Sequence, residues 1–405
     1  MIDVLYYSCP YDLSGYGAVS RNHLLGLSEY KDIRMRMKPR RFWRGPTPSL
    51  GEAGDKLKAM ERQPIRNKDF IFIEHLTPEN FFIDPRAAFH VCYTPFETDG
   101  APISWLIGLK AMDEIWVPSM ENKKSYMNMG LDSEKIKVIP HGADINIYNP
   151  KVKPLMYERG KFNFGSVFDW TERKNPTALI RAFYNAFTED EDVSLTLRVF
   201  WKFPLEETLN YVRREIQKIK ESFVGRKNFP RVILWTEILP DSGLPNLYKS
   251  FDCFVLPTRG EGFGLPFVEA MACGVPTIGP NWGGNTDFMN ENNSILVPGS
   301  IIPINDGAFL KRQPQYDGQN WFNIDESILS EKMRWTYDNR EKADAIGARA
   351  AKEVSDSWTW SHTAAQLHSA ILEIDRKLHK VQVVKDDSLF NEMRVSGGID
   401  EKRST

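Results

Sequence analysis

The chain has 405 residues, 41% of them hydrophobic and 26% charged, with 52 Lys plus Arg against 54 Asp plus Glu. That length suggests two or three domains with room for real cores, and the near-zero net charge gives no global attraction to a polyanion. No apolar run is long enough to cross a bilayer, and the start, "MIDVLYYSCPYDLSGYG", has neither a basic n-region nor a small-residue cleavage site, so a mature cytoplasmic protein is expected.

Short β-rich runs alternate with amphipathic stretches, the pattern of an α/β chain with parallel sheets. Residues 2–8 (IDVLYYS) are a first strand, ending in SGYGAVSRNHLLGL, a Gly-containing turn that opens a helix. Further strands are expected at 69–74, 88–94, 113–119 and 136–142, the last running into a proline-containing linker, ADINIYNPKVKP. A second set begins with a strand at 162–168 and a helix at 175–187, with Pro176 near its first position. A strand at 193–200, a long helix at 205–223 and a strand at 231–235 follow, then 244–251, 252–258 and 274–280. Residues 299–324 have little periodicity and are expected to be an irregular insertion. Helices are expected at 324–339, 341–354 and 359–380, and the polar tail 381–405 is expected to be mobile. Cys9, Cys92, Cys253 and Cys273 are scattered without metal spacing and fit free thiols in a reducing compartment.

The chemistry concentrates in "RGEGFGLPFVEAMACGVP" (259–276). A buried strand ends before glycines at 260, 262 and 264, and Pro266 sits where a helix tolerates proline best. The N-terminus of that helix offers unpaired N–H groups and a partial positive charge, a ready site for phosphate. Glu261 precedes the turn, and Glu269 lies about one turn into the helix, where a carboxylate suits a ribose diol. The spacing is G-x-G-x-G rather than G-x-G-x-x-G and falls late in the chain, which weakens a dinucleotide-oxidoreductase reading.

E-x(7)-E within "PTRGEGFGLPFVEAMACGVPTI" resembles the retaining glycosyltransferases of family four. "VIPHGADINIYNP" (138–150), "GSVFDWTERKNPTALIRAF" (165–183), "LPNLYKSFDCFVLPT" and "DSWTWSHTAAQLHSAI" extend the resemblance over about residues 1–380. It implies the α/β GT-B fold, two Rossmann-like domains facing an interdomain cleft. An acceptor domain would span 1–155 and a nucleotide-sugar domain 156–355, with helix 356–380 packing back on the former.

By the same likeness Glu269 would hold the ribose, while Glu261 and the amides of Gly262, Phe263, Gly264 and Leu265 would contact donor sugar and diphosphate. Arg173 and Lys174 would neutralise the departing diphosphate; fixed cations stabilise charge that develops on a leaving group. Ser166 follows the first glycine of that segment, where the family often has arginine. The turn carrying Gly15 and Gly17 would meet diphosphate or acceptor, and 235–239, with Ile238, would line the base. His141 and Gly142 would shape the cleft wall, with 281–288 as the neighbouring loop. The family's N-domain histidine has no clear counterpart. The matching strand, AFHVCYTPFETDG, puts Tyr93 or Thr94 there, and leaves Glu97 (followed by Asp99) and His75 as acid/base or sugar-contact candidates.

The function implied is retaining, metal-independent transfer from a nucleotide diphospho-sugar, UDP favoured over GDP, to a glycan, glycolipid or other hydroxyl acceptor, with no further cofactor. No metal site is expected; Asp190-Glu191-Asp192 reads as a solvated acidic loop. A local basic stretch, residues 31–45, interleaves Phe42 and Trp43 with Lys and Arg and is a candidate for peripheral membrane or polyanion contact. A modified nucleic-acid base as acceptor, a catalytically silent nucleotide-sugar- or glycan-binding protein, and a sugar-nucleotide epimerase are the alternatives.

Overall fold

The computed structural model describes residues 1–41, 47–48, 50–200, 205–235, 239 and 243–396. The first sheet holds β1 (Ile2–Ser8), β2 (Ile33–Pro39), β3 (Ile71–Glu74), β4 (Phe89–Tyr93), β5 (Glu114–Val117) and β6 (Ile136–Val138), in the order β2-β1-β3-β4-β5-β6. The second holds β7 (Phe162–Asp169), β8 (Val193–Phe200), β9 (Arg231–Trp235), β10 (Cys253–Val255), β11 (Thr277–Pro280) and β12 (Ile295–Val297), in the order β12-β11-β10-β7-β8-β9. A separate antiparallel pair is formed by β13 (Gly299–Pro303) and β14 (Asn320–Ile324). The helices are α1 (Gly15–Ser28), α2 (Gly51–Arg62), α3 (Leu106–Lys110), α4 (Met120–Asn128), α5 (Pro176–Ala186) and α6 (Leu205–Glu221). They continue with α7 (Gly243–Lys249), α8 (Leu265–Ala272), α9 (Gly307–Arg312), α10 (Glu326–Asp338), α11 (Arg340–Ser357) and α12 (Trp360–Ser396). Two mostly parallel sheets flanked by helices are thus the doubly wound arrangement expected.

The chain falls into two compact units. One is Met1–His75 with Phe82–Val91 and Ala364–Thr405; the other is Leu76–Phe81 with Cys92–Thr363. In the first, β1 lies parallel to both β2 and β3, with Val4 opposite Met35 on one side and Ile71 on the other. Ser14 caps α1 by accepting from the Gly17 amide at 3.2 Å. β2 buries Ile33, Met35 and Met37 while Arg34, Arg36 and Lys38 alternate to the opposite face. Arg34, Arg36 and Lys38 of the basic run therefore form the cationic face of an edge strand. α12 seals the unit: Ala364 packs on Gly26, where an added Cβ would sit 2.7 Å from the alanine Cβ. His368 stacks on Tyr30 at 3.9 Å and hydrogen-bonds Asp32 at 2.9 Å.

In the second unit β7 is central, and all its residues but Asp169 are buried. α5 begins at Pro176, as its position predicts, directly after Asn175 at φ 55°. It turns Leu179, Ile180, Phe183 and Tyr184 into the core. The segment 299–324 departs from expectation: it is β13, α9 and β14, not an irregular insertion. Each of these elements is only five or six residues long, too short for periodicity to register. Ile304, Phe309 and Trp321 from this segment join one core with Trp105, Leu109 and Ile115. β2, α2 and α4 were also not anticipated, the expected strand 136–142 shortens to β6, and α12 continues past residue 380 to Ser396.

Candidate functional site

Four of the expected residues, Glu97, Arg173, Lys174 and Glu261, come together in the second unit. β7 ends at Asp169, and a single 3-10 turn, Glu172–Lys174, carries both cations before α5 begins. The Arg173 carbonyl accepts from the Arg259 amide at 2.7 Å, and its guanidinium donates to the Gly260 carbonyl at 2.7 Å. The cation turn is thus laced along the glycine-rich turn that follows β10.

Gly260 is fixed by packing. A Cβ there would lie 1.8 Å from the Glu97 carbonyl oxygen, so only glycine lets the 95–100 segment lie against the turn. Gly264, at φ 100°, caps α8 in a conformation that L side chains rarely adopt, and Pro266 follows in the first turn. The loop 281–288 is indeed the neighbour: the Gly284 amide donates to the Glu261 carbonyl at 2.9 Å.

Within this frame Lys174 Nζ lies 2.5 Å from Glu261 Oε1, and Arg173 lies 3.5 Å from the same oxygen and 3.4 Å from Glu97 Oε1. Lys174 and Glu261 are buried, each 7% exposed. Burial pushes the Glu261 carboxyl up, but Lys174 and Arg173 outweigh it and hold the group below its usual range. Burial lowers Lys174 below an ordinary lysine against the pull of Glu261. Burial also works against the Arg173 charge, yet Glu97 and Glu261 hold the guanidinium firmly protonated. Two cations are therefore held at the end of a strand, beside the amides that open α8. This arrangement suits an anion with several oxygens.

Leu265 is half-buried at the first position of α8. Phe263 commits its side chain to the core, 5.1 Å from the His141 ring and 4.9 Å from Phe288, so only its backbone faces the turn's chemistry. Glu269 lies on α8 about 6 Å along the axis from Leu265. It accepts a hydrogen bond from Tyr248 at 3.0 Å, and the Tyr148 phenol also favours its ionised form. Burial raises its pKa to about 7, with the two phenols pulling the other way.

His75, Gly15 and Gly17 belong to the first unit. Gly15 is exposed, whereas a Cβ on Gly17 would lie 2.0 Å from the Asp12 carbonyl oxygen. His75 is 1% exposed, its Nδ1 3.2 Å from Ser20 Oγ and 3.3 Å from the Tyr6 hydroxyl, and burial lowers its pKa to about 3. It is a neutral imidazole at pH 7. In the second unit the Tyr93 hydroxyl donates to the Ile139 carbonyl at 2.6 Å, which leaves its oxygen to accept from His141 Nδ1 at 3.1 Å. A Cβ on Gly142 would lie 2.3 Å from the Thr359 carbonyl carbon. Ile238 lies outside the described residues, as do Phe42, Trp43 and Arg44 of the basic stretch.

Other cations of that stretch are engaged within the chain. Arg34 pairs with Asp3 at 3.1 Å, Arg36 donates to the Gln63 carbonyl at 2.6 Å, and Lys38 lies 5.0 Å over the Tyr7 ring. Among the described residues no group of three His, Cys, Asp or Glu side chains could hold a metal ion, and no helix is long and apolar enough to cross a membrane. The four cysteines are buried and unbridged.

Sequence reasoning missed three tyrosines: Tyr148 and Tyr248 on Glu269, and Tyr316, which donates to Glu97 Oε2 at 3.1 Å. Nothing local marks them, because each reaches its carboxylate from a distant segment.

Residues 162–306 match the family described as Glycosyl transferases group 1. The chain is 25% identical over 252 residues to a D-inositol 3-phosphate glycosyltransferase of Rhodococcus jostii, covering 60% of this chain and 48% of that protein. It is 27% identical over 175 residues to an Escherichia coli UDP-Gal:alpha-D-GlcNAc-diphosphoundecaprenol alpha-1,3-galactosyltransferase, covering 41% and 42%. The chain spans about half the length of the curated relatives it matches. Among solved structures it is similar to the sucrose-phosphate synthase of Thermosynechococcus elongatus (TM-score 0.63, 14% identity, 93% of this chain and all of that one). It is also similar to Anabaena HepE in complex with UDP-glucose (TM-score 0.61, 12% identity, 92% and 100%). The likeness to these structures is one of fold: two Rossmann-like domains in the GT-B arrangement.

Proposed function

We propose that this chain is a retaining glycosyltransferase that moves a sugar from a nucleotide diphospho-sugar, UDP favoured over GDP, to a hydroxyl of a glycan or glycolipid. The observation that carries this reading is the Arg173–Lys174–Glu261–Glu97 cluster, with Lys174 and Glu261 buried, beside the glycine turn that opens α8. Nucleotide-sugar use by proteins with similar folds or sequences, HepE with UDP-glucose and the UDP-Gal-dependent transferase, supports it.

In this reading the diphosphate lies against the amides of Gly262 to Leu265 and takes Arg173 and Lys174 as counter-charges, and Glu269 accepts from the ribose hydroxyls. The bond between the anomeric carbon and the phosphate oxygen breaks first. The electron pair stays on the diphosphate, where the two fixed cations stabilise it. The acceptor oxygen then bonds the same face of the oxocarbenium-like carbon, and its proton passes to the departing phosphate oxygen. Glu261 and Glu97 contact the donor sugar, and both keep the cations aligned in the meantime. Charge neutralisation by arginine and lysine leaves a divalent ion no necessary task.

Thermal shift against UDP, GDP, ADP, dTDP and their common sugars, with and without EDTA, tests the reading. A nucleotide at about 100 times its Kd stabilises by about 2.7 kcal/mol. A shift with one base that survives EDTA is the expected result, and no shift with any of them overturns the donor site.

A further inference from the structure

The segment 299–324 reaches the site from three sides. The Thr98 hydroxyl donates to Gln319 Oε1 at 2.9 Å, and Asp99 accepts from the Asn320 amide at 2.9 Å and from its side chain at 2.8 Å. The Phe322 amide donates to the Arg259 carbonyl at 2.9 Å, and the Arg259 guanidinium lies 4.7 Å over the Trp321 ring. Arg312 pairs with Glu172 at 2.5 Å, next to the two cations. Each chain segment that supplies a carboxylate or a cation to the cluster is therefore tied to this one insertion.

From this segment Tyr316 reaches the cluster itself, through its hydrogen bond to Glu97. The Tyr316 ring is 8% exposed and lies between Phe96, stacked at 5.1 Å, and Phe309 at 5.3 Å. Its hydroxyl donates to Glu97 Oε2 at 3.1 Å, and the other oxygen of Glu97 is the one 3.4 Å from Arg173. A carboxylate on a flexible side chain rotates freely unless both oxygens are claimed. With a phenol on one and a guanidinium on the other, Glu97 has one orientation.

We propose that Tyr316 is a positioning residue: it fixes Glu97, and through Glu97 the guanidinium of Arg173, so that the cation meets the leaving diphosphate aligned. This rests on the transferase reading above. In this reading Tyr316 acts through Glu97.

The test is Tyr316→Phe in the full chain, which removes the hydroxyl and keeps the ring packing. Turnover is followed as release of UDP from UDP-glucose, or of GDP from GDP-mannose if only guanine nucleotides shift the melting temperature. Losing a hydrogen bond to a charged group corresponds to roughly a ten- to hundredfold effect. The expected result is a kcat about tenfold or more below wild type, with KM for the sugar nucleotide within about twofold. Loss of a contact made in the transition state lowers kcat in that way. In a Glu97→Gln background the same change should add almost nothing, because a residue acting through Glu97 has nothing left to position. A kcat within twofold of wild type overturns the proposal, and so does an equal loss in both backgrounds. If wild type itself releases no nucleotide from either donor and binds none, the transferase reading fails and this inference with it. An active wild type with an indifferent Tyr316→Phe variant refutes only the positioning role.

Discussion

Glu269 offers the sharpest prediction, because its environment shifts the pKa of the carboxylate proposed to hold the ribose. Its pKa of about 7, against an ordinary 4.5, means that the folded protein holds a proton there which the unfolded chain has lost. Stability is therefore greatest below pH 4.5 for this group and declines as pH rises through 7, by about 3 kcal/mol in all. The ionised form accepts ribose hydroxyls best, so donor binding responds in the opposite sense. About one molecule in ten is ionised at pH 6 and about nine in ten at pH 8, so the Kd should weaken about tenfold on going from pH 8 to pH 6. UDP-glucose is the probe of choice, because a free terminal phosphate would titrate near pH 6 itself. Isothermal titration of wild type and Glu269→Gln across pH 6 to 8 decides the matter. The variant should bind about tenfold or more weakly at pH 8 and show no slope. The same slope in both proteins would refute the ribose assignment, since another group would then be titrating.

Three further outcomes follow from the same geometry. Lys174→Met leaves Glu261 buried beside a lost partner and should destabilise by about 3–5 kcal/mol in denaturant titration; adding Glu261→Gln should recover much of that while UDP-glucose turnover stays lost. Gly260→Ala forces a methyl into the Glu97 carbonyl, and should reduce both stability and turnover, whereas Gly307→Ala, with nothing within 4 Å, should change neither by more than about 1 kcal/mol. EDTA should leave the turnover of wild type unchanged, because Arg173 and Lys174 supply the positive charge; a rate that falls with EDTA and returns with magnesium would overturn that assignment.

Much of the second unit was legible because its signals are local. The glycines at 260, 262 and 264, Pro266 and the two glutamates fall within ten consecutive residues, and they lie in the turn before α8 and in α8 itself. Pro176 marked the start of α5 in the same way. The first unit was harder: in β2 the alternation of Ile33, Met35 and Met37 with three cations looked like a basic patch before it looked like a strand. The segment 299–324 hid its role because its pairing partners are one another, and its contacts lie far away in sequence, on Glu97, Asp99, Glu172 and Arg259.

The sequence by itself determined the doubly wound class, the glycine-rich turn before α8 and the identity of the charged residues, because turn chemistry, helix capping and strand periodicity act over a few residues. Only the tertiary structure decided how those charges are balanced. That Glu97 shares Arg173 with Glu261, that Lys174 is buried against Glu261, and that phenols hold Glu269 and Glu97 all depend on segments tens to hundreds of residues apart. A carboxylate's pKa and orientation are set by burial and by whatever charge or donor lies within a few ångströms. Neither is written in the residues on either side of it.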